Sequence, residues 1–191
     1  DLKTIQESCP PLGHPDERFK VTILGTLSPA IGGCASSMKY RHDIVPGFNL
    51  WLGDAKTGGG SCDEEGLDHY SFECFSKHPL IEDDTIKAWY VTLYDKTARW
   101  SGRKDYKCGL YSMLNEDPPL IQMIISANRS CDGLSQRMSN VDHRVPQGYR
   151  HFEDGSVGLL FSKDWPQPIS GSDVWRKKRS PVTPDSVHNK S

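Results

Sequence analysis

The sequence predicts a mainly β fold, either a disulfide-stabilised β-sandwich or a distorted barrel, with one or two short helices. Two observations carry this prediction. Apolar and polar residues alternate with a period of two in several segments, as in half-buried strands, whereas helical periodicity is scarce. Six cysteines are spread along a chain that also holds 13 prolines and 17 glycines, so we expect many loops held by cross-links. The spacing of turns favours about eight short strands.

Strand segments follow one another along most of the chain, and each shows alternation or is rich in aromatic and β-branched residues. In the segment 47–54, for example, Phe48, Leu50 and Leu52 fall on one face. Asp154 and Gly155 predict a tight turn between two apolar runs, because glycine supplies the positive φ that such a turn requires. The predicted strands are 19–27, 47–54, 69–76, 86–95, 108–114, 120–127 and the two arms of a hairpin at 149–161.

The two predicted helices are short, and the chain ends in a segment of different composition. Apolar residues recur with helical spacing at 1–9 and at 133–141. Beyond Trp165 the sequence is rich in proline and serine, which is typical of a terminal extension. We therefore expect a disulfide-bridged β domain at 1–165 and a basic C-terminal extension at 166–191.

The cysteines are expected to form three disulfides, because dispersed cysteines in even number are typical of proteins from an oxidising compartment. None stands in a CxxC arrangement, so the closely spaced thiolates of a zinc site are missing. We expect neither a metal nor a cofactor. Pairing between sequence neighbours is favoured, namely Cys9 with Cys34, Cys62 with Cys74 and Cys108 with Cys131.

Further motifs predict a secreted, extracellular protein. The sequence contains N-glycosylation sequons and a basic cluster of the kind that secretory convertases cleave. The cluster is either cut or docked on the body of the protein. No charged-then-apolar leader begins the chain, so we expect that a signal peptide has been removed. The residues concerned are Asn128 and Asn189 for glycosylation, and Arg176, Lys177, Lys178 and Arg179 for processing.

The distribution of charge excludes some classes of partner. Residues 176–191 carry a net charge of +4 and the preceding residues carry −6, and an acidic body does not favour nucleic acid. The most apolar segment, 120–125, is too short to span a membrane.

The stretch 58–76 places two cysteines around five carboxylates and His69 but lacks the ligand order of a calcium loop. We interpret it as a solvated acidic turn closed by a disulfide.

No pair of catalytic groups is indicated by spacing. Three histidines adjoin an aspartate, yet neighbours on a strand point to opposite faces. No Gly-x-Ser-x-Gly motif is present for a hydrolase serine.

The sequence therefore favours a non-enzymatic binding protein over an enzyme. Its general profile resembles the small, cysteine-bridged effectors and host-modulating virulence factors that pathogens and parasites export, a likeness of class without a shared motif. We expect loops to recognise a protein or glycan partner outside the producing cell. Trp51 and Trp89 are expected in the core, whereas Trp100 is expected to be exposed in a basic loop; the predicted binding residues are Arg99, Trp100, Arg103 and Lys104. A small secreted hydrolase using histidine and carboxylate acid–base catalysis is the alternative.

Overall fold

A computed structural model describes the chain at residues 8–24, 32–38, 45–53, 67–100, 102–140, 152 and 154–163. Within these residues eight antiparallel strands pair in chain order, and the last pairs with the first to close a barrel. The strands are β1 (Phe19–Leu24), β2 (Gly32–Ser37), β3 (Gly47–Gly53), β4 (Asp68–Glu82), β5 (Thr85–Asp95), β6 (Tyr106–Glu116), β7 (Pro119–Ile125) and β8 (Val157–Ser162). The predicted mainly β fold is confirmed, and of its two forms the barrel is the one observed.

Alternating side chains fill the barrel, as the period-two pattern predicts. In β3 the predicted inward face of Phe48, Leu50 and Leu52 is buried, and Trp51 between them lies on the outer wall, half-buried. The expected core position of Trp51 is therefore wrong. The interior is formed by Phe19, Val21, Ile23, Phe48, Leu50, Leu52, Tyr70, Phe72, Val91, Leu93, Ile121, Met123, Ile125, Leu159 and Phe161.

β2 was not predicted, because its sequence GGCASS carries no large apolar residue. Its composition follows from close packing against β3. A Cβ atom added to Gly33 would lie 1.8 Å from the carbonyl oxygen of Trp51, so a side chain at Gly33 collides with the backbone of the neighbouring strand. Ala35, the next inward residue, is fully buried. Small residues are required here, and they remove the pattern by which strands are recognised.

β4 is longer than predicted and, together with β5, projects beyond β3. β3 pairs with β4 up to Glu73, so the rest of β4 pairs with β5 alone. Pro79 lies in this unflanked part, where a missing amide hydrogen leaves no partner unsatisfied. The hairpin turns at Asp83 and Asp84, which have φ values of 50° and 58°. Two successive left-handed residues make a tight primed turn, in which aspartate is tolerated.

The two ends of the barrel are covered by different segments. At the end where the chain enters β1, the segment 8–15 crosses the opening and buries Leu12 in the core. At the opposite end, the loop after β5 folds back so that Trp100 packs against the core. The ring of Trp100 stands edge-on to those of Tyr70 and Phe72, at centroid distances of 5.2 and 5.5 Å.

Two disulfides are seen in full among the described residues. Cys108 pairs with Cys131, as predicted, and this bridge fixes the start of a helix to β6. Cys9 pairs with Cys74, so the predicted pairings of Cys9 with Cys34 and of Cys62 with Cys74 are wrong. The reason is topological: the segment 8–15 crosses the barrel end and meets the inward face of β4. Cys34 is also disulfide-bonded, and Cys62 lies outside the described residues.

The predicted helix at 133–141 is observed as α1 (Leu134–Asn140) on the outer wall. Leu134 packs with Leu110 and Ile124 there, and Gln122 Nε2 donates to the Met138 carbonyl at 3.3 Å. The predicted turn at Asp154 and Gly155 is also present: Gly155 has φ 81° and its amide donates to the carbonyl of Phe152. Most of the predicted helix at 1–9, the first arm of the hairpin at 149–151 and the extension 166–191 lie outside the described residues.

Candidate ligand-binding cleft and outer aromatic surface

A cleft of about 620 Å³ opens at the barrel end that the segment 8–15 covers. We call it the end cleft. One wall is this N-terminal segment, a second is formed by Met38 and the chain leading into β3, and the third is the projecting part of β4, β5 and β6. Its volume is in the range of about 300–1,000 Å³ typical of sites for small molecules.

The walls of the end cleft are mainly apolar. Pro10, Pro11 and Leu12 form the N-terminal side, and Trp89 and Met113 form part of the opposite side. Trp89 continues the inward face of β5, where it is half-buried and packs against the edge of the core rather than inside it as expected. The floor of the cleft is thus the end of the core, where Leu12 and Trp89 lie between the cleft and the barrel interior.

Two ammonium groups contribute the charge of the end cleft. Lys77 and Lys87 both line it. Lys77 Nζ lies 4.1 Å from the centroid of the Trp89 ring, a cation–π contact. Among the described residues that line the cleft there is no carboxylate, so the site is apolar with positive charge.

Tyr111 lines the cleft beside Trp89 and adds no negative charge to it. Burial raises the pKa of its phenol to about 12. The side chain is therefore neutral throughout the physiological range. Strand pairing places Tyr111 directly opposite Trp89, so the two rings come from adjacent positions of the sheet.

The segment 8–15 is held in place at two points. Ser37 Oγ donates to the Gly13 carbonyl at 2.8 Å, which ties the segment to β2. The Cys9–Cys74 disulfide ties it to β4. The N-terminal wall of the cleft is therefore part of the rigid framework of the barrel.

A second feature is an exposed aromatic group on the outer wall, which we call the Tyr106 surface. Tyr106 lies 5.7 Å from Phe75 and 5.0 Å from Tyr94, measured between ring centroids. The Arg129 guanidinium stands over the Tyr106 ring at 5.3 Å. Phe75 is 41% exposed and Tyr106 is 37% exposed, so the group is open to solvent.

Asp105 organises the charges beside the Tyr106 surface. Arg129 Nη2 donates to it at 2.9 Å, and Arg103 forms an ion pair with it at 3.2 Å. The hydrogen bond from Arg129, followed by that from the Tyr106 amide, holds the pKa of Asp105 below its ordinary value. The carboxylate thus stays charged near neutral pH and keeps both arginines at this surface.

The four predicted binding residues do not all lie on the surface. Arg99, Arg103 and Lys104 are exposed, and Arg99 pairs with Asp68 at 3.3 Å. Trp100 is half-buried and packs on the core, so the expectation that it is exposed is wrong. Asp95 causes this by accepting hydrogen bonds from the Thr97 and Trp100 amides, which turns the loop back over the barrel.

The acidic stretch is only partly described, and what is seen has a structural role. Glu73 pairs with Lys96 at 3.3 Å, and Asp68 pairs with Arg99. His69 stacks on Trp51 at 5.0 Å and hydrogen-bonds Asn49 at 2.9 Å. Within the described ranges no cluster of three or more histidine, cysteine or carboxylate side chains is arranged to hold a metal ion. His14 and Asp16 lie 3.4 Å apart on an exposed turn, which is not a catalytic cleft.

The remaining predicted sites concern modification. Asn128 is exposed, and its Oδ1 accepts a hydrogen bond from the Ser130 amide at 2.8 Å. Glycosylation at Asn128 stays a prediction. Asn189 and the predicted processing residues Arg176, Lys177, Lys178 and Arg179 lie outside the described residues.

In the part of the chain that the structure describes, no helix combines the length and apolar character needed to cross a membrane. No protein-family model matches the chain, and neither a curated protein nor a solved structure does.

Proposed function

We propose that this chain is a secreted binding protein that holds a small, largely apolar molecule in the end cleft. The observation that carries the proposal is the cleft itself, a cavity of about 620 Å³ with proline, methionine and tryptophan walls and few polar groups. Pockets of this size with apolar walls are the usual sites for small ligands. Disulfides are typical of proteins exposed to an oxidising compartment, which supports secretion.

The test uses a neutral apolar fluorophore, N-phenyl-1-naphthylamine, whose emission rises when it leaves water. We expect saturable binding to the wild type and a loss of at least about tenfold in affinity for Met113→Asp, because a carboxylate in an apolar site is costly. Leu114→Asp is the matched control. Leu114 is a similarly exposed neighbour, 44% against 39%, but it does not line the cleft.

Two results would reject the proposal. One is the absence of saturable binding to the wild type. The other is an equal loss of affinity in Met113→Asp and Leu114→Asp, which would locate the bound fluorophore elsewhere. Circular dichroism of both variants should match the wild type, since both side chains are exposed.

Recognition of a protein or glycan partner outside the producing cell is the second candidate function. Tyrosine and arginine are enriched at the centres of interfaces, and the Tyr106 surface combines Tyr106 with Arg129 and, through Asp105, with Arg103. Arg99 and Lys104 are exposed in the same loop as Arg103. Affinity capture from host extracellular fluid with the wild type, with Tyr106→Ala and with Arg99→Ala/Arg103→Ala/Lys104→Ala tests it. Equal recovery of the same partners by all three would remove this surface from consideration.

A further inference from the structure

The two lysines of the end cleft indicate more than a general apolar site. Lys77 is half-buried with its ammonium above the Trp89 ring, and Lys87 is exposed further along the same edge. Within the described residues neither ammonium has a carboxylate at salt-bridge distance, whereas Lys96 and Lys163 on other parts of the barrel are both paired. Two cations that have no carboxylate partner among the described residues therefore border an apolar cavity.

The position of the lysines follows from the register of β4 and β5. Trp89 lies on the inward face of β5, and two residues earlier the same face carries Lys87. Lys77 on β4 reaches the same ring. Along β5 the inward face thus changes from core residues to Trp89 and then to Lys87, towards the mouth of the cleft. Lys77 of β4 is paired with Val91, so it approaches the Trp89 ring from the side of the core.

We infer that the end cleft binds a single-chain amphiphile with an anionic head group, such as a fatty acid, with its chain against the proline and methionine walls and its head at Lys77 and Lys87. This inference rests on the proposed function and specifies its ligand. An ammonium that donates to a carboxylate forms a charge-assisted hydrogen bond, which is stronger than one between neutral groups. A head group of the same sign as the lysines is disfavoured.

The test compares three ligands with the same chain and different heads: laurate, dodecanol and dodecylammonium. Each displaces the neutral fluorophore, so one assay measures all three at concentrations below micelle formation. We expect laurate to bind about tenfold more tightly than dodecanol, and dodecylammonium to bind more weakly than both. The advantage of laurate should shrink as salt is raised, because the lysines are not fully buried.

Lysine variants then locate the head group. Lys77→Met and Lys87→Met keep an apolar stem and remove the charge, and each should reduce the advantage of laurate over dodecanol by about threefold or more. Lys77→Arg should retain it. Lys104→Met is the matched control, since Lys104 is exposed and lies at the opposite end of the barrel.

The outcomes separate this inference from the proposed function. If the fluorophore and dodecanol bind but laurate binds no better, the anionic head is wrong and the apolar site stands. If the advantage of laurate is the same in Lys77→Met, Lys87→Met and Lys104→Met, the head group does not lie at the cleft. If no ligand and no fluorophore binds, the proposed function itself fails.

A second copy of the chain is the other occupant that an apolar cleft admits. Sedimentation velocity with laurate at saturating concentration distinguishes the two. A monomer that binds one laurate supports the amphiphile. A dimer that dissociates in Met113→Asp and takes up no laurate would overturn it.

Discussion

The ring of Trp100 meets the ring of Phe72 edge-on, with centroids 5.5 Å apart and ring planes at 80°. Phe72 is fully buried on the inward face of β4, whereas Trp100 belongs to the loop after β5. The contact joins the interior of the barrel to the segment that covers its end. Trp100 therefore stabilises the fold, and any experiment that removes it also changes the barrel.

Replacing Trp100 with alanine should lower the free energy of unfolding by about 2–4 kcal/mol, because a large ring is lost from the core boundary. Trp100→Phe should lose less, since a ring is retained. Trp51→Ala is the control, as Trp51 lies on the outer wall against His69. Urea unfolding followed by circular dichroism measures all three. An unchanged midpoint in Trp100→Ala would show that the loop does not cover the barrel.

The two described disulfides should differ in their effect on the end cleft. The loop closed by Cys9 and Cys74 spans 65 residues, and the one closed by Cys108 and Cys131 spans 23. From the entropy of loop closure, we expect removal of Cys9–Cys74 to lower the free energy of unfolding by about 4 kcal/mol and removal of Cys108–Cys131 to lower it by about 3 kcal/mol. Cys9→Ser/Cys74→Ser should also weaken fluorophore binding, because the N-terminal wall is released. Cys108→Ser/Cys131→Ser should leave fluorophore binding intact in the folded fraction. A larger loss of binding in this variant than in Cys9→Ser/Cys74→Ser would contradict the position of the cleft.

Two glycines of the barrel should respond differently to alanine. At Gly33 the added Cβ would lie 1.8 Å from a backbone oxygen of β3, and this steric clash can be relieved only by moving the strand. At Gly109 it meets the end of Met123 at 2.8 Å, a flexible side chain. Gly109→Ala should cost about 1–3 kcal/mol, as overpacking does, and Gly33→Ala should cost more. Thermal unfolding compares them, and a milder effect at Gly33 would contradict the close approach of β2 and β3.

Much of the barrel was predictable because alternation is a local property. Phe48, Leu50 and Leu52 are recognised from spacing alone, and strand geometry then fixes their common face. β2 was not predictable from pattern, since Gly33 is selected by its contact with β3. The adjacent acids Asp83 and Asp84 do indicate a turn, but they lack the glycine by which a tight primed hairpin turn is usually recognised.

The candidate site was harder to predict because it joins distant parts of the chain. The end cleft brings Pro10 beside Trp89 and Met113, and no local pattern relates these positions. Trp100 was misjudged for the same reason. Its sequence neighbours are polar, yet Tyr70 and Phe72, which bury its ring, belong to an earlier strand. The pairing of Cys9 with Cys74 likewise depends on a crossing that only the closed barrel defines.

Asp105 should make stability depend on pH in the acid range. Its pKa is lower in the folded protein than in the unfolded chain, chiefly because Arg129 donates a hydrogen bond to the carboxylate and the Tyr106 amide donates another. The contribution is therefore fully present above the unfolded pKa of about 4 and is lost as pH falls through the folded value. The wild type should exceed Asp105→Asn in stability at pH 7, and the difference should decrease as pH falls below the unfolded pKa and through the lower folded one. Asp132→Asn, at an exposed aspartate near α1, is the control and should differ little from the wild type in stability at any of these pH values.

Urea midpoints measured across this pH range test the dependence of stability on pH, and carbon-13 NMR titration of the Asp105 carboxyl tests its cause. A carboxyl that titrates at or above its ordinary value would show that Arg129 does not hold it.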